Sequence, residues 1–313
     1  MLSNFLICLN AVIPLTLYLV IGYAVRRFGL LSGPEVRRVN HMIFIVFFPP
    51  MMFENIYGAD IGQVLDWKLI GFGIGFILFE YFLITLFVRR VEKDPKSRGA
   101  MIQAIYRSNF VLMGLPIAMN IFGKGNVSVT AMMIMFVVPL FNVLAVFTLE
   151  YYRGGRANYL DMVKKICQNP IILGAIAGIL ALVLHIQVPA PLLKVIGGMA
   201  DATTPMALIL LGASFNIQSV QRDRRNLSIC LIGRLIVIPA IGLTLAVLLG
   251  IRGVGFVTLI AMLAAPTAVS SFTMAESMDS NGELAGNAVI FSTPISCVTL
   301  FLWLFLFKSL GMF

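Results

Sequence analysis

Two short polar stretches in an otherwise apolar chain carry the residue types that bind an anion. The first is Arg107-Ser108-Asn109, inside the run "GAMIQAIYRSNFVLMGLPIAMNIF". The second is Pro266-Thr267 followed by Ser270-Ser271, inside "LAAPTAVSSF". A guanidinium can hold a carboxylate through two parallel hydrogen bonds. Ser and Asn compete with a helix for its own backbone groups, and proline removes a backbone donor and clashes with the preceding turn. A helix crossing either stretch is therefore expected to stop and restart, near Phe110 and near Thr267. A restarting helix offers free N–H groups and the positive end of its dipole, and Asn109, Thr267, Ser270 and Ser271 would add hydrogen bonds to a bound carboxylate. The plainer alternative is a proline kink whose freed backbone groups are satisfied by small polar residues. Arg107 has two readings: it binds the anion, or it caps the negative C-terminal end of the first half-helix.

Glu80 and Arg234 are the other ionisable residues placed deep in apolar runs. They form a structural ion pair, or Glu80 carries a coupling proton. Glu54, Glu276 and Asp279 fall near the ends of apolar runs, where solvated or interfacial carboxylates are expected. Catalysis finds no support. His41 and His185 stand alone, and Cys8, Cys167, Cys230 and Cys297 are scattered without metal-ligand spacing and read as small core residues. No nucleophile elbow, P-loop or HExxH pattern is present, so neither an enzyme nor a metal or other cofactor is implied.

The elements that must position these residues are membrane spans. Of 313 residues 59% are apolar and 12% charged, with a mean hydropathy of +0.96, whereas soluble domains run at about 45–50% and about 25%. A bilayer core needs roughly 20 apolar residues per helix. Ten continuous runs satisfy that, at 5–25, 38–57, 68–88, 100–122, 127–149, 170–187, 194–216, 227–249, 254–277 and 285–307. The expected fold is an all-α integral membrane protein, the first run being a span rather than a signal peptide. Sixteen Lys and Arg, among them Arg26, Arg89, Arg156 and Arg222, lie in loops after odd-numbered spans. Five lie on the other side: Lys68, Lys124, Lys194, Arg252 and Lys308. The basic loops are therefore expected in the cytoplasm with both termini extracytoplasmic. The net charge of +9 is a topology signal, and nucleic acid is not an expected partner.

Prolines recur at one offset. Pro14 and Pro170, Pro34 and Pro189, Pro49 and Pro205, and Pro139 and Pro294 are each separated by 155 or 156 positions. Such self-similarity indicates two repeats, 1–150 and 151–313, of five spans each. Five is odd, so the second repeat must enter the membrane from the opposite side, the inverted layout of secondary transporters. The same offset carries Arg107-Ser108-Asn109 of span 4 onto the stretch before Pro266 in span 9, so two broken helices are expected to cross near the midplane. It also brings Glu80 and Arg234 to near-equivalent places.

The stretches "GYAVRRFGLLS" (22–32), "RSNFVLMGLPIAMNIFG" (107–123), "NPIILGAIAGI" (169–179), "TTPMALILLGASF" (203–215) and "APTAVSSFTMAE" followed by "GELAGNAVIFSTPIS" resemble the auxin efflux carrier family. The resemblance covers nearly the whole chain. It implies a dimerising scaffold of spans 1, 2, 6 and 7, and a transport domain of spans 3, 4, 5, 8, 9 and 10. In that domain Asn109 and the Pro266 region form the crossover that holds a small organic anion. Members of this family include plant auxin exporters and microbial carriers of malate, malonate and similar carboxylates. Plant members have a proline where this chain has Ser108, and a long central loop that is absent here, so fold and transport class carry over rather than auxin itself. The expectation is a homodimeric plasma (inner) membrane exporter of a carboxylate working by alternating access. Proton- or sodium-coupled uptake and an anion channel are the alternatives.

Overall fold

The computed structural model describes residues 2–58, 66–123, 128–153 and 159–313. The loop residues Lys124 and Arg156, the side chain of Cys8 and the link at 154–158 between the expected repeats lie outside them. The described residues form fourteen helices: α1 (Leu2–Arg27), α2 (Gly33–Tyr57), α3 (Trp67–Val91), α4 (Pro95–Tyr106), α5 (Phe110–Phe122), α6 (Ser128–Tyr152), α7 (Tyr159–Cys167), α8 (Pro170–Val183), α9 (Ala190–Ser214), α10 (Ile217–Arg222), α11 (Arg224–Leu248), α12 (Gly253–Ala264), α13 (Ser270–Ser277) and α14 (Gly282–Ser309). Six of them, α2, α3, α6, α9, α11 and α14, are long and apolar enough to cross a membrane. Three shorter ones, α5, α8 and α12, are also apolar. The protein is thus an all-helical, multi-pass membrane protein.

Polar residues set the helix starts. Asp66 accepts from the Leu69 N–H at 3.0 Å, Asp94 from Ser97 at 2.8 Å, Asn169 from Ile171 at 3.0 Å and Asn281 from Leu284 at 3.0 Å. Pro95 and Pro170 follow their caps directly, where the missing N–H costs nothing. Of the four offset proline pairs, Pro34 and Pro189 both stand at helix starts. Pro49 with Pro205 and Pro139 with Pro294 lie within helices, and Pro14 sits inside α1 while Pro170 opens α8. Helices α2 and α11 each widen into one π-helical turn, Ile43–Phe47 and Gly233–Val237, just before prolines 49–50 and 239. Pro239 cannot bond the Leu235 carbonyl, and the Trp303 indole N–H takes that acceptor at 3.0 Å.

The closest helix approaches use glycine. A Cβ at Gly22 would overlap the Ile209 carbonyl and one at Gly212 the Leu19 carbonyl, so α1 and α9 meet backbone to backbone. Gly174 does the same for α8 against Pro49 of α2. In the row Gly71, Gly73 and Gly75 only Gly73 makes a close approach, against Met133; the other two face open space. Cys230 and Cys297 are buried as expected, but Cys167 ends α7 exposed. Basic residues near helix ends reach across to neighbouring loops: Lys96 pairs with Asp279 at 2.7 Å and Arg222 with Glu283 at 2.5 Å, while Asn226 hydrogen-bonds Glu92. Asp279, expected as a freely solvated end, is half of such a pair. Exposed pairs of this kind each contribute about 0–1 kcal/mol.

Candidate functional site

Both expected interruptions exist, and they touch. Helix α4 ends at Tyr106 and α5 begins at Phe110; α12 ends at Ala264 and α13 begins at Ser270. Between them Ser108 and Thr267 form an antiparallel β-bridge. The Asn109 N–H donates to the Pro266 carbonyl at 2.8 Å and the Ala268 N–H to the Arg107 carbonyl at 3.2 Å. The restart of the second helix comes three residues later than the position of Pro266 suggests, because Thr267 is held extended in the bridge. The first N–H groups there are also not free. Ser271 and Phe272 donate back to the Ala268 and Val269 carbonyls at 2.9 and 3.2 Å, so only α5 opens with its usual orphan donors.

The orphan carbonyls at the two upstream ends are taken by one side chain. Arg234 is 0% exposed. Its Nε donates to Ala265 at 3.1 Å, Nη1 to Ile105 and Tyr106 at 3.1 and 2.8 Å, and Nη2 to Met262 at 3.2 Å and to Leu263. The Ala104 carbonyl accepts from Thr267 Oγ1 at 2.8 Å, and the Gln103 carbonyl from the Arg107 N–H at 3.1 Å. A cation between two C-terminal dipole ends is electrostatically favourable. The ion pair expected for Glu80 and Arg234 is not formed: the guanidinium is committed to carbonyls, and both Glu80 oxygens lack a hydrogen-bond partner. The helix-capping part weighed for Arg107 falls to Arg234.

Arg107 is 3% exposed and meets side chains instead. Nη1 donates to Met274 Sδ at 2.8 Å and Nη2 to Asn142 Oδ1. Among the described residues no carboxylate pairs with it. Asn142 in turn donates to the Val138 carbonyl at 2.8 Å and to Met52 Sδ at 3.0 Å. These groups border a cavity of about 60 Å³ with Arg107, Ser108, Asn109, Ser270, Asn55, Asn142 and Thr204 as its polar lining, and Phe48, Met51, Met52, Val138 and Phe141 among its apolar walls. A single water needs roughly 10–15 Å³ by a comparable measure. The hydroxyl of Ser108 and the Nδ2 groups of Asn109 and Asn55 are buried without a partner. A second, polar cavity of about 520 Å³ lies toward the basic loops between the facing ends of α1, α2, α9, α13 and α14. Asn40 on its wall donates to the Thr273 carbonyl and Ser277 Oγ, both at 3.3 Å.

Of the nominated residues, Arg107, Ser108, Asn109 and Ser270 reach the first cavity. Thr267 and Ser271 do not line it. Thr267 closes a carbonyl and its own N–H donates to Ser292 Oγ at 3.1 Å; Ser271 is buried, its carbonyl accepting from Gln103 Nε2 at 3.0 Å. Pro266 contributes its carbonyl to the bridge. Asn55 and Asn142 were not nominated, although an amide in an apolar span is a visible signal.

A multi-pass protein whose interrupted helices meet around a buried polar cavity belongs to the class of membrane transporters rather than enzymes. The chain is a member of the family described as membrane transport protein, whose model matches residues 7–159 and 155–304. It is 22% identical over 312 residues to an uncharacterized transporter of Methanocaldococcus jannaschii, covering 95% of this chain and 98% of that protein. It is also 22% identical over 304 residues to an uncharacterized transporter of Methanothermobacter thermautotrophicus, covering 94% and 96%. A Rhizobium meliloti protein named "Putative malonate transporter" is 22% identical over 307 residues, 95% of each chain.

Proposed function

We propose that the chain is a secondary transporter, an exporter, of a small organic anion such as a carboxylate, which it holds at the crossing of α4–α5 with α12–α13 and moves by alternating access. The observation that carries this reading is the set of buried, unpartnered donors, Ser108 Oγ, Asn109 Nδ2 and Asn55 Nδ2, around the un-neutralised Arg107. Buried polar groups without partners cost stability, and a guanidinium without a counter-charge at membrane depth costs more. A carboxylate entering the cavity would satisfy all of them, with α5's first N–H groups and Ser270 completing the shell.

The reading includes ten spans in two inverted repeats, 1–150 and 151–313, a scaffold of spans 1, 2, 6 and 7 that pairs two copies, and a plasma-membrane location with both termini outside. The backbone contact of α1 with α9 and of α2 with α8 supports treating those four spans as one rigid body. The cavity at the crossing and the larger one toward the basic loops support alternating access. Malonate, the compound in the Rhizobium relative's name, is the first carboxylate to try. In proteoliposomes preloaded with it, labelled malonate should exchange by saturable counterflow, and Asn109→Ala should cut the exchange while the protein stays folded. Flux linear in concentration without counterflow would make the protein a channel. Normal exchange by the Asn109 variant would remove the crossover from substrate binding.

A further inference from the structure

Among the described residues Glu80 is the one buried acid, and it does not line the cavity at the crossing. It stands near the middle of α3, 2% exposed, and neither carboxyl oxygen has a hydrogen-bond partner. One side faces an apolar crevice of about 440 Å³ between α3 and α11, walled by residues such as Phe76, Phe79, Leu83 and Ile232. The charged and titratable groups that bear on it are Arg234 of α11 and Tyr106 of α4, whose hydroxyl donates to the Phe141 carbonyl at 3.0 Å. Helix α6 meets this part of α3 through the Tyr81–Thr148 hydroxyl pair at 2.8 Å. Arg234 forms no salt bridge with Glu80 as placed, because its five hydrogen bonds run to carbonyls at the ends of α4 and α12.

An ionised carboxylate with no hydrogen bond and no ion pair is among the costliest groups a membrane interior can hold, so in this arrangement Glu80 carries a proton. We propose that Glu80 is a proton-binding site that governs the helix crossing. Protonated, it leaves Arg234 on the two helix ends; ionised, it draws the guanidinium off those carbonyls and loosens the crossing. The step breaks one carboxyl O–H bond, the proton leaves to water, and no electrons move. If the cavity is the anion site proposed above, on which this consequence rests, anion movement becomes linked to a proton.

The protein carries its own reporter. Trp303 bonds the carbonyl of Leu235, the neighbour of Arg234, and Trp67 is the only other tryptophan. The test uses the full chain in lipid nanodiscs, with infrared spectra and, in a Trp67→Phe background, Trp303 emission followed as pH is raised. The expected result is a protonated-carboxyl band at neutral pH that is missing in Glu80→Gln and fades on alkalinisation. Trp303 emission should change over the same range and stay flat once Glu80→Gln is added. Glu80→Asp should retain a titrating band with a displaced midpoint. No band in the wild type, a band that never titrates, a band unchanged in the Asp variant, or a fading band with constant emission would each overturn the proposal. Malonate counterflow is the separate arm. Where it occurs, its rate should vary by up to about tenfold per pH unit, the limit for one proton, and Glu80→Gln should abolish that slope. A complete lack of malonate counterflow would count against the transport reading of the cavity, while the two spectroscopic readouts still decide on Glu80.

Discussion

The two buried arginines sit a few residues from the same crossing and face opposite kinds of partner. Arg234 is surrounded by main-chain carbonyls that cannot move away without unwinding two helices. Arg107 touches an amide oxygen and a thioether, acceptors on side chains that can turn aside, and it borders a cavity. Both are buried and carry the same charge; what separates a structural cation from a candidate ligand is whether its acceptors are replaceable. Met274 is a weak acceptor, so an arriving carboxylate would displace it at little cost.

That contrast can be broken by substitution, and the largest effect is expected at Arg234. Arg234→Met removes the charge but leaves five carbonyl oxygens in place. With about 1–3 kcal/mol for each buried group left unsatisfied, the variant should lose several kcal/mol and fail to elute as a single species in size-exclusion chromatography. A well-folded Arg234→Met protein would erase the distinction. Arg107→Gln should keep a near-normal melting temperature without ligand, yet lose the stabilisation of about 2.7 kcal/mol that a carboxylate at 100 times its Kd confers on the wild type, read by thermal shift. Asn109→Ala removes a single donor that has no partner within the protein, so it should weaken carboxylate binding by about tenfold or more at unchanged baseline stability. The smallest change is expected for Thr267→Val, which deletes the bond to the Ala104 carbonyl. It should cost about 1 kcal/mol of stability and leave carboxylate affinity alone; a loss of affinity instead would return Thr267 to the cavity.

Much of this was legible in the sequence, and the reasons differ by feature. Most of the described length of the expected runs is helical, because continuous apolar runs bounded by Asp94-Pro95 or Asn169-Pro170 leave few alternatives, and six of the helices are long and apolar enough to cross a membrane. The breaks at 107–109 and before Ser270 were visible because Arg, Asn and Pro have no helical use in mid-span, and the proline offset tied them together. The offset did not disclose how the breaks meet. Whether a side chain in a five-residue unwound stretch faces the cavity or a carbonyl follows from the register of the Ser108–Thr267 bridge, which put Ser270 at the cavity and Thr267 away from it. The pairing of Glu80 with Arg234 was inferred from opposite charge at similar depth. The carbonyls that won Arg234 carry no sequence signature, since every residue has one. Asn55 and Asn142 escaped because neither belongs to the two interrupted stretches.

The bridge also bears on which residues the crossing tolerates. Its two hydrogen bonds use the Arg107 and Pro266 carbonyls and the Asn109 and Ala268 N–H groups; the amide of Ser108 takes no part. Arg107 already has φ −88° and ψ 112°, the extended conformation a residue adopts ahead of proline. Position 108 is therefore open to drift: an amino acid with no amide hydrogen, such as the proline found there in plant auxin carriers, can stand at the heart of the crossing without undoing it. What Ser108 offers that a proline there would not is its hydroxyl, which has no partner within the protein.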